Sequence, residues 1–83
     1  MKHHILKCWP SQFSLIGERR KLFELRINDR DFQEGDSVEL VEWDPESKYT
    51  GRRILCKVGY VLREPSEFPG LIPGYCIWSI ILP

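Results

Sequence analysis

Between Phe23 and Ile27 the chain alternates apolar and polar residues one by one, as Phe-Glu-Leu-Arg-Ile. A period of two is the mark of a strand that turns one face to a core and the other away from it. The alternation predicts a strand over Lys21–Ile27, with Phe23, Leu25 and Ile27 on the core face and Glu24 and Arg26 on the other. Asn28 continues the polar face. The polar run Asn28-Asp29-Arg30-Asp31 follows, and Phe32 with the turn pair Gly35-Asp36 leads into a further strand. A strand that displays its charges in one direction needs a sheet to hold it rigid.

The remaining segments supply that sheet. His3–Leu6 reads as a short first strand ending in Lys7-Cys8-Trp9-Pro10. Pro10 suits the first position of a helix, Phe13, Leu15 and Ile16 form its apolar side, and Gly17 ends it. Ser37–Trp43 reads as a strand in which Val38 and Leu40 alternate while Val41 and Trp43 shift the phase. A bulge near Leu40-Val41, or burial on both faces, accounts for the shift. Asp44-Pro45-Glu46-Ser47 is a turn, and Lys48–Gly51 completes a hairpin tip. Arg52–Arg63 returns as a long strand with Ile54, Cys56, Val58, Tyr60 and Leu62 on one face, and Gly59 marks a bend. Glu64–Gly74, with three prolines and two glycines, is a loop. Tyr75–Leu82 is apolar on both faces, so it is central or is paired at a subunit contact. About five strands and one early helix predict one domain over residues 1–83, mostly β, forming a small, partly closed antiparallel barrel. Phe23, Leu25, Ile54, Cys56, Val58 and Ile77 are its expected core.

Charge narrows the partners. Twelve basic and twelve acidic residues cancel, so no global field holds nucleic acid and any such contact needs a local basic patch. Three cysteines, odd in number and with no CxxC spacing, argue against a disulfide framework and a cysteine-rich zinc site. Reduced thiols of a cytoplasm fit them. His3 and His4 are adjacent on a strand and point opposite ways, so no metal and no cofactor is expected. The N-terminus does not read as a signal peptide. The longest apolar run, Tyr75–Leu82, is too short to span a bilayer, and no membrane partner is expected.

The candidate site comprises Lys7, Trp9, Lys21, Glu24, Arg26, Asn28 and Arg30. Lys21 and Arg26 suit a phosphate or a base edge, the arginine by a bidentate contact. Glu24 orients Arg26 or accepts from an exocyclic amine. Trp9 offers a stacking surface with Lys7 placed for phosphate. The competing reading is structural: a Glu–Arg–Lys network on a solvated strand face, and a tryptophan packed at a strand–helix corner. Trp43, Lys48, Tyr49, Arg52 and Arg53 interleave aromatic and basic residues at the hairpin end as a second candidate. Cys8 has no histidine partner beyond its own strand, so it reads as a small buried hydrophobe and not as a nucleophile.

The run Lys21-Leu22-Phe23-Glu24-Leu25-Arg26 resembles the Gly-x-Lys-x-x-Glu-x-Arg motif that ASCH domains of the PUA-like superfamily carry after an early helix. Lys21, Glu24 and Arg26 match, Arg19 stands at the glycine position, and the nearest glycine is Gly17. Leu6–Pro10, Phe23–Arg26, Asn28–Phe32, Gly35-Asp36, Glu42–Pro45, Tyr49–Arg52, Pro69–Leu71 and Gly74-Tyr75 resemble, in order, an ASCH-like group of prokaryotes and phages. The resemblance implies a PUA-like β-barrel that binds RNA or a modified nucleoside. It also implies an alternative, because some small ASCH proteins resemble amidohydrolases acting on an acylated cytidine. Those use a Lys in this motif, a Thr three residues later and a downstream Glu. Lys21 fits, Glu24 stands where the threonine hydroxyl is needed, and Glu64 or Glu67 would be the downstream acid. A third reading is a protein-contact module that forms a homodimer through its last strand.

Overall fold

The computed structural model describes residues 1–63 and 69–83. Six elements follow in order: β1 (His3–Cys8), α1 (Pro10–Gly17), β2 (Phe23–Ile27), β3 (Ser37–Asp44), β4 (Lys48–Arg63) and β5 (Tyr75–Ile81). The strands form one sheet in the order β1-β3-β4-β5-β2, curled into a half-barrel with α1 packed on it through Phe13 and Ile16. The expected architecture is present with one correction: β1 runs parallel to β3, so the sheet is mixed and not wholly antiparallel. A parallel pair needs a crossover, and α1 and β2 together make it. The loop expected over Glu64–Gly74 is irregular from Pro69 to Gly74, and its first five positions lie outside the described residues.

α1 starts and stops where local chemistry requires. Pro10 occupies its first turn, and the Phe13 amide donates to the Trp9 carbonyl at 2.8 Å. At the other end the Arg19 amide donates to Ile16 and the Arg20 amide to Leu15, each at 2.9 Å, with Arg19 at φ 61°. That pairing is a Schellman closure, whose left-handed residue is ordinarily glycine.

The core is lined from every strand except β2. Leu6 and Cys8 of β1, Val38 and Leu40 of β3, Cys56 and Val58 of β4, and Cys76, Trp78 and Ile80 of β5 point inward with Phe32. β5, flanked by β4 and β2, is the central strand its composition suggested. On β4 the register slips between Val58 and Val61, so Tyr60 faces out and Val61 packs on the core. Gly59 permits the slip: a Cβ there would meet the Ser79 Oγ, which instead accepts the Tyr60 amide at 2.9 Å. On β3 the irregularity lies between Val41 and Trp43, and inward alternation continues through Val38, Leu40 and Glu42.

β2 is inverted relative to the expectation. Glu24 is 4% exposed, while Phe23, Leu25 and Ile27 are 49%, 55% and 55% exposed. Phe23 and Leu25 therefore leave the expected core list, Cys56 and Val58 remain on it, and Ile54 and Ile77 are half-buried. The period was right and the facing was wrong, because alternation says which residues share a face and not which face is covered.

A buried polar pair anchors the N-terminal end. Asp36 accepts from His4 Nε2 at 2.8 Å, the Gln33 amide at 3.0 Å and the Lys2 amide at 3.1 Å. Burial would raise its carboxyl. The hydrogen bonds from His4, Gln33 and Lys2 outweigh that and hold it below the usual carboxylate range.

Candidate functional site

Of the motif residues, Lys21, Glu24 and Arg26 form one unit. Arg26 Nε donates to Glu24 Oε2 at 2.8 Å, and Lys21 Nζ lies 3.6 Å from Glu24 Oε1. The Glu24 side chain is 6% exposed, so this is not the solvated surface network of the competing reading. A buried carboxylate between two cations is a compensated charge, and its geometry is held for that reason.

Arg26 and Arg30 close the seam of the half-barrel. β1 pairs only with β3 and β2 only with β5, which leaves one backbone edge of each unpaired. Arg26 Nη2 donates to the Lys7 carbonyl at 2.7 Å, and Arg30 Nη1 to the Ile5 carbonyl at 3.1 Å. Those carbonyls are two residues apart, so they sit on the same edge of β1. Two guanidinium groups thus stand where a sixth strand would otherwise satisfy the edge. Asn28 serves the same segment: its Oδ1 accepts the Phe32 amide at 3.1 Å, and its own amide donates to Gly74 at 2.8 Å. A cavity of about 390 Å³ opens at the seam, lined by Arg26, Arg30, Asp29, Tyr75 and apolar neighbours. A separate groove of about 530 Å³ runs between α1 and β2, lined by Gln12, Leu15, Arg20, Lys21, Phe23 and Leu25. It lies between the helix and the barrel, and Lys21 alone of the candidate site residues lines it.

Lys7 and Trp9 belong to a different cluster. Trp9, 57% exposed, meets Trp43 edge to face with ring centroids 6.2 Å apart. Lys7 Nζ lies 4.6 Å from the Trp43 ring and 6.0 Å from the Tyr49 ring, and Lys48 Nζ lies 5.6 Å from Trp43. Tyr49 is 59% exposed. The strand–helix corner and the hairpin end, separate stretches in the sequence, therefore converge on one surface of two lysines and three aromatic rings. The register brings them together, pairing Lys7 with Val41 and Trp43 with Tyr49. Cation–π contact holds the lysines over the rings, and Lys48 Nζ also donates to the Pro45 carbonyl at 2.9 Å.

Glu42, absent from the expected site, underpins this surface. It is buried and accepts from Thr50 Oγ1 at 2.7 Å and Arg52 Nε at 3.1 Å, while Arg52 also lies over the Phe13 ring at 4.9 Å. A glutamate at the third inward position after Val38 and Leu40 was the available signal. Arg53 turns instead to Glu39, at 3.4 Å, away from the aromatic rings.

Nucleophilic chemistry finds little support in the thiols. Burial, reinforced by the Glu24 charge, pushes Cys8 up to about 11, and Cys56 is raised to about 11 for the same reasons. His3 bonds Ser37 Oγ at 2.6 Å on the outside while His4 is buried against Asp36. Among the described residues, no three His, Cys, Asp or Glu side chains cluster so as to hold a metal ion. No helix among them is long and apolar enough to cross a membrane. Glu64 and Glu67 lie outside the described residues.

A family model described as a domain of unknown function (DUF3850) matches residues 3–80. Over 57 residues the chain is 33% identical to an uncharacterized 12.9 kDa protein in the GpA 3′ region of Escherichia phage P2. That match covers 69% of this chain and 51% of the phage protein, so the chain spans about half the length of this relative.

Proposed function

The chain belongs to the DUF3850 family, and from that premise we propose that it binds a short single-stranded RNA segment or a nucleoside-type ligand on the Lys7–Trp9–Trp43–Lys48–Tyr49 surface. The observation that carries this reading is the convergence of exposed Trp9 and Tyr49 with Lys7 and Lys48 around Trp43. Flat rings take the π-faces of bases, and ammonium groups beside them take phosphate. With no net charge on the chain, affinity comes from this local shape and not from a diffuse field.

The resemblance to ASCH domains supports the same direction, and with it a PUA-like reading of the half-barrel. Arg19, at the glycine position of the motif, adopts the left-handed conformation that glycine favours. In this reading Lys21, Glu24 and Arg26 brace the ligand surface from behind, since Arg26 holds the backbone of Lys7. Lys21 also borders the α1–β2 groove and extends the basic path toward it.

The test is titration of a mixed short-RNA pool and a nucleoside panel, read by tryptophan fluorescence at two salt concentrations. Trp9→Ala and Tyr49→Ala are each expected to weaken binding by roughly 5- to 150-fold, the range for loss of one stacked base. Lys7→Ala is expected to flatten the salt dependence by nearly one unit of slope. Wild-type affinity in a Trp9→Ala/Tyr49→Ala double variant, or binding by neither protein, would overturn the proposal.

A further inference from the structure

The inversion of β2 leaves an apolar row on the outside of the sheet. Phe23, Leu25 and Ile27 stand there beside β5, where the register sets Leu25 against Ile77 and Ile27 against Tyr75. On the far side of β5, Leu62 pairs with Ile77, and exposed Tyr60 adjoins Ser79. Three strands thus share an apolar patch, bordered by Lys21, whose Nζ lies 5.5 Å from the Phe23 ring, and by Lys57, which pairs with Ile81. Contiguous exposed apolar surface of this kind marks an interaction site.

We propose that this face is covered by a second copy of the chain, packed sheet on sheet about a two-fold axis that passes near Leu25 and runs across β2. Charge selects this occupant and this orientation. Beyond the Phe23 end of the face lies Arg20, Lys21 being turned to Glu24, and beyond the Ile27 end lie Asp29 and Arg30, the arginine turned to the Ile5 carbonyl. Arg20 is exposed, with only an open contact to Glu18 at 3.5 Å. Asp29 is exposed and makes no ion pair among the described residues. A two-fold across the strand inverts its direction in the partner, setting Arg20 of one copy against Asp29 of the other at both ends. A two-fold along the strand would oppose like charges. The centre carries no charge to desolvate, and the zero net charge of the chain removes long-range repulsion between copies.

Area is consistent with a modest dimer. Four half-exposed side chains at about 100 Å² each, with the rims of Tyr75, Ile77 and Leu62, give roughly 500 Å² per copy. Doubling gives about 1,000 Å², the lower edge of a specific interface. The dimer should therefore form in the micromolar to millimolar range and dissociate on dilution.

Sedimentation equilibrium of the full chain across that range tests this. The expected result is mass rising from 9.8 kDa toward twice that value, with Leu25→Lys held at the monomer and Ile5→Lys, on the outer face of β1, behaving as wild type. Isotope-filtered spectra of mixed labelled and unlabelled wild-type protein need no substitution, and they should show contacts between copies at the Leu25, Ile27 and Ile77 methyl groups. A monomer at millimolar concentration, a dimer that survives Leu25→Lys, or intermolecular contacts lying elsewhere would each overturn the proposal.

Discussion

Arg26→Ala removes two supports with one substitution. It takes the nearer cation from a carboxylate that is 6% exposed, and it cuts the bridge from β2 to the Lys7 carbonyl. Breaking a buried ion pair by deleting one partner costs about 3–5 kcal/mol. Lys21, still 3.6 Å from Glu24, retains part of the compensation. The 27% exposure of Arg26 discounts the cost further. Loss of the bond to Lys7 adds about 1 kcal/mol. The net expectation is about 3 kcal/mol, equivalent to a fall of about 12–24 °C in Tm for a domain of this size. Urea unfolding followed by circular dichroism measures it. Arg26→Lys keeps the charge but cannot reach both acceptors, so it should fall between Ala and wild type. A Glu24→Leu/Arg26→Met pair removes the carboxylate together with its nearer cation and leaves Lys21, 17% exposed, as the one unpaired charge of the unit, so it should recover part of the loss. Arg26→Ala within about 0.5 kcal/mol of wild type, the range of an ordinary surface change, would refute both the buried pair and the bridged seam. The same arithmetic makes Arg26 a poor probe of ligand binding, since its loss weakens any site by loosening the fold.

Three further outcomes follow from local geometry. Asp36 is held below its ordinary 3.8 in the folded chain, so its contribution to stability is present above that value and is lost as pH falls through the depressed range. Urea midpoints should drop there in wild type, and Asp36→Asn, less stable at neutral pH, should show a shallower acid decline. Arg19→Gly relieves a left-handed residue at φ 61° and should stabilise by about 1 kcal/mol, less a small loss from the exposed bond of Arg19 Nη2 to Pro83 at 2.7 Å; a Tm below wild type would contradict that. Cys8 and Cys56, buried and raised to about 11, should resist a thiol-specific disulfide reagent at pH 8 until urea unfolds the chain. Rapid labelling of the native protein would show that they are accessible.

Punctuation and period were legible in the sequence. Pro10 and Gly17 bounded α1, Gly59 marked the bend in β4, and the all-apolar composition of Tyr75–Leu82 implied a strand with neighbours on both sides. Those signals are local and physically direct. Pairing and facing are not local, and there the reading failed or stopped short. Nothing near His3 or Ser37 says that β1 will lie parallel to β3, yet that register brings Trp9 to Trp43. The irregularity on β3 was expected at Leu40-Val41 and lies one step later, because Glu42 takes the inward place with Thr50 and Arg52 as partners.

The inversion of β2 ties the site to the surface. A half-barrel ending in two unpaired edges has backbone carbonyls to satisfy, and Arg26 with Arg30 satisfies two of them. Arg26 reaches Lys7 from the inner face of β2, and an inward arginine needs a buried counter-charge, which Glu24 provides. Once Glu24 and Arg26 face in, period two obliges Phe23, Leu25 and Ile27 to face out. Holding the seam with side chains therefore puts an apolar row in water, and a second copy that covered it would offset that cost. Stability and association should then be coupled. If they are, Tm should rise with protein concentration in wild type, and Leu25→Lys should abolish that rise while Arg26→Ala/Leu25→Lys loses no more stability at low concentration than the two single variants together.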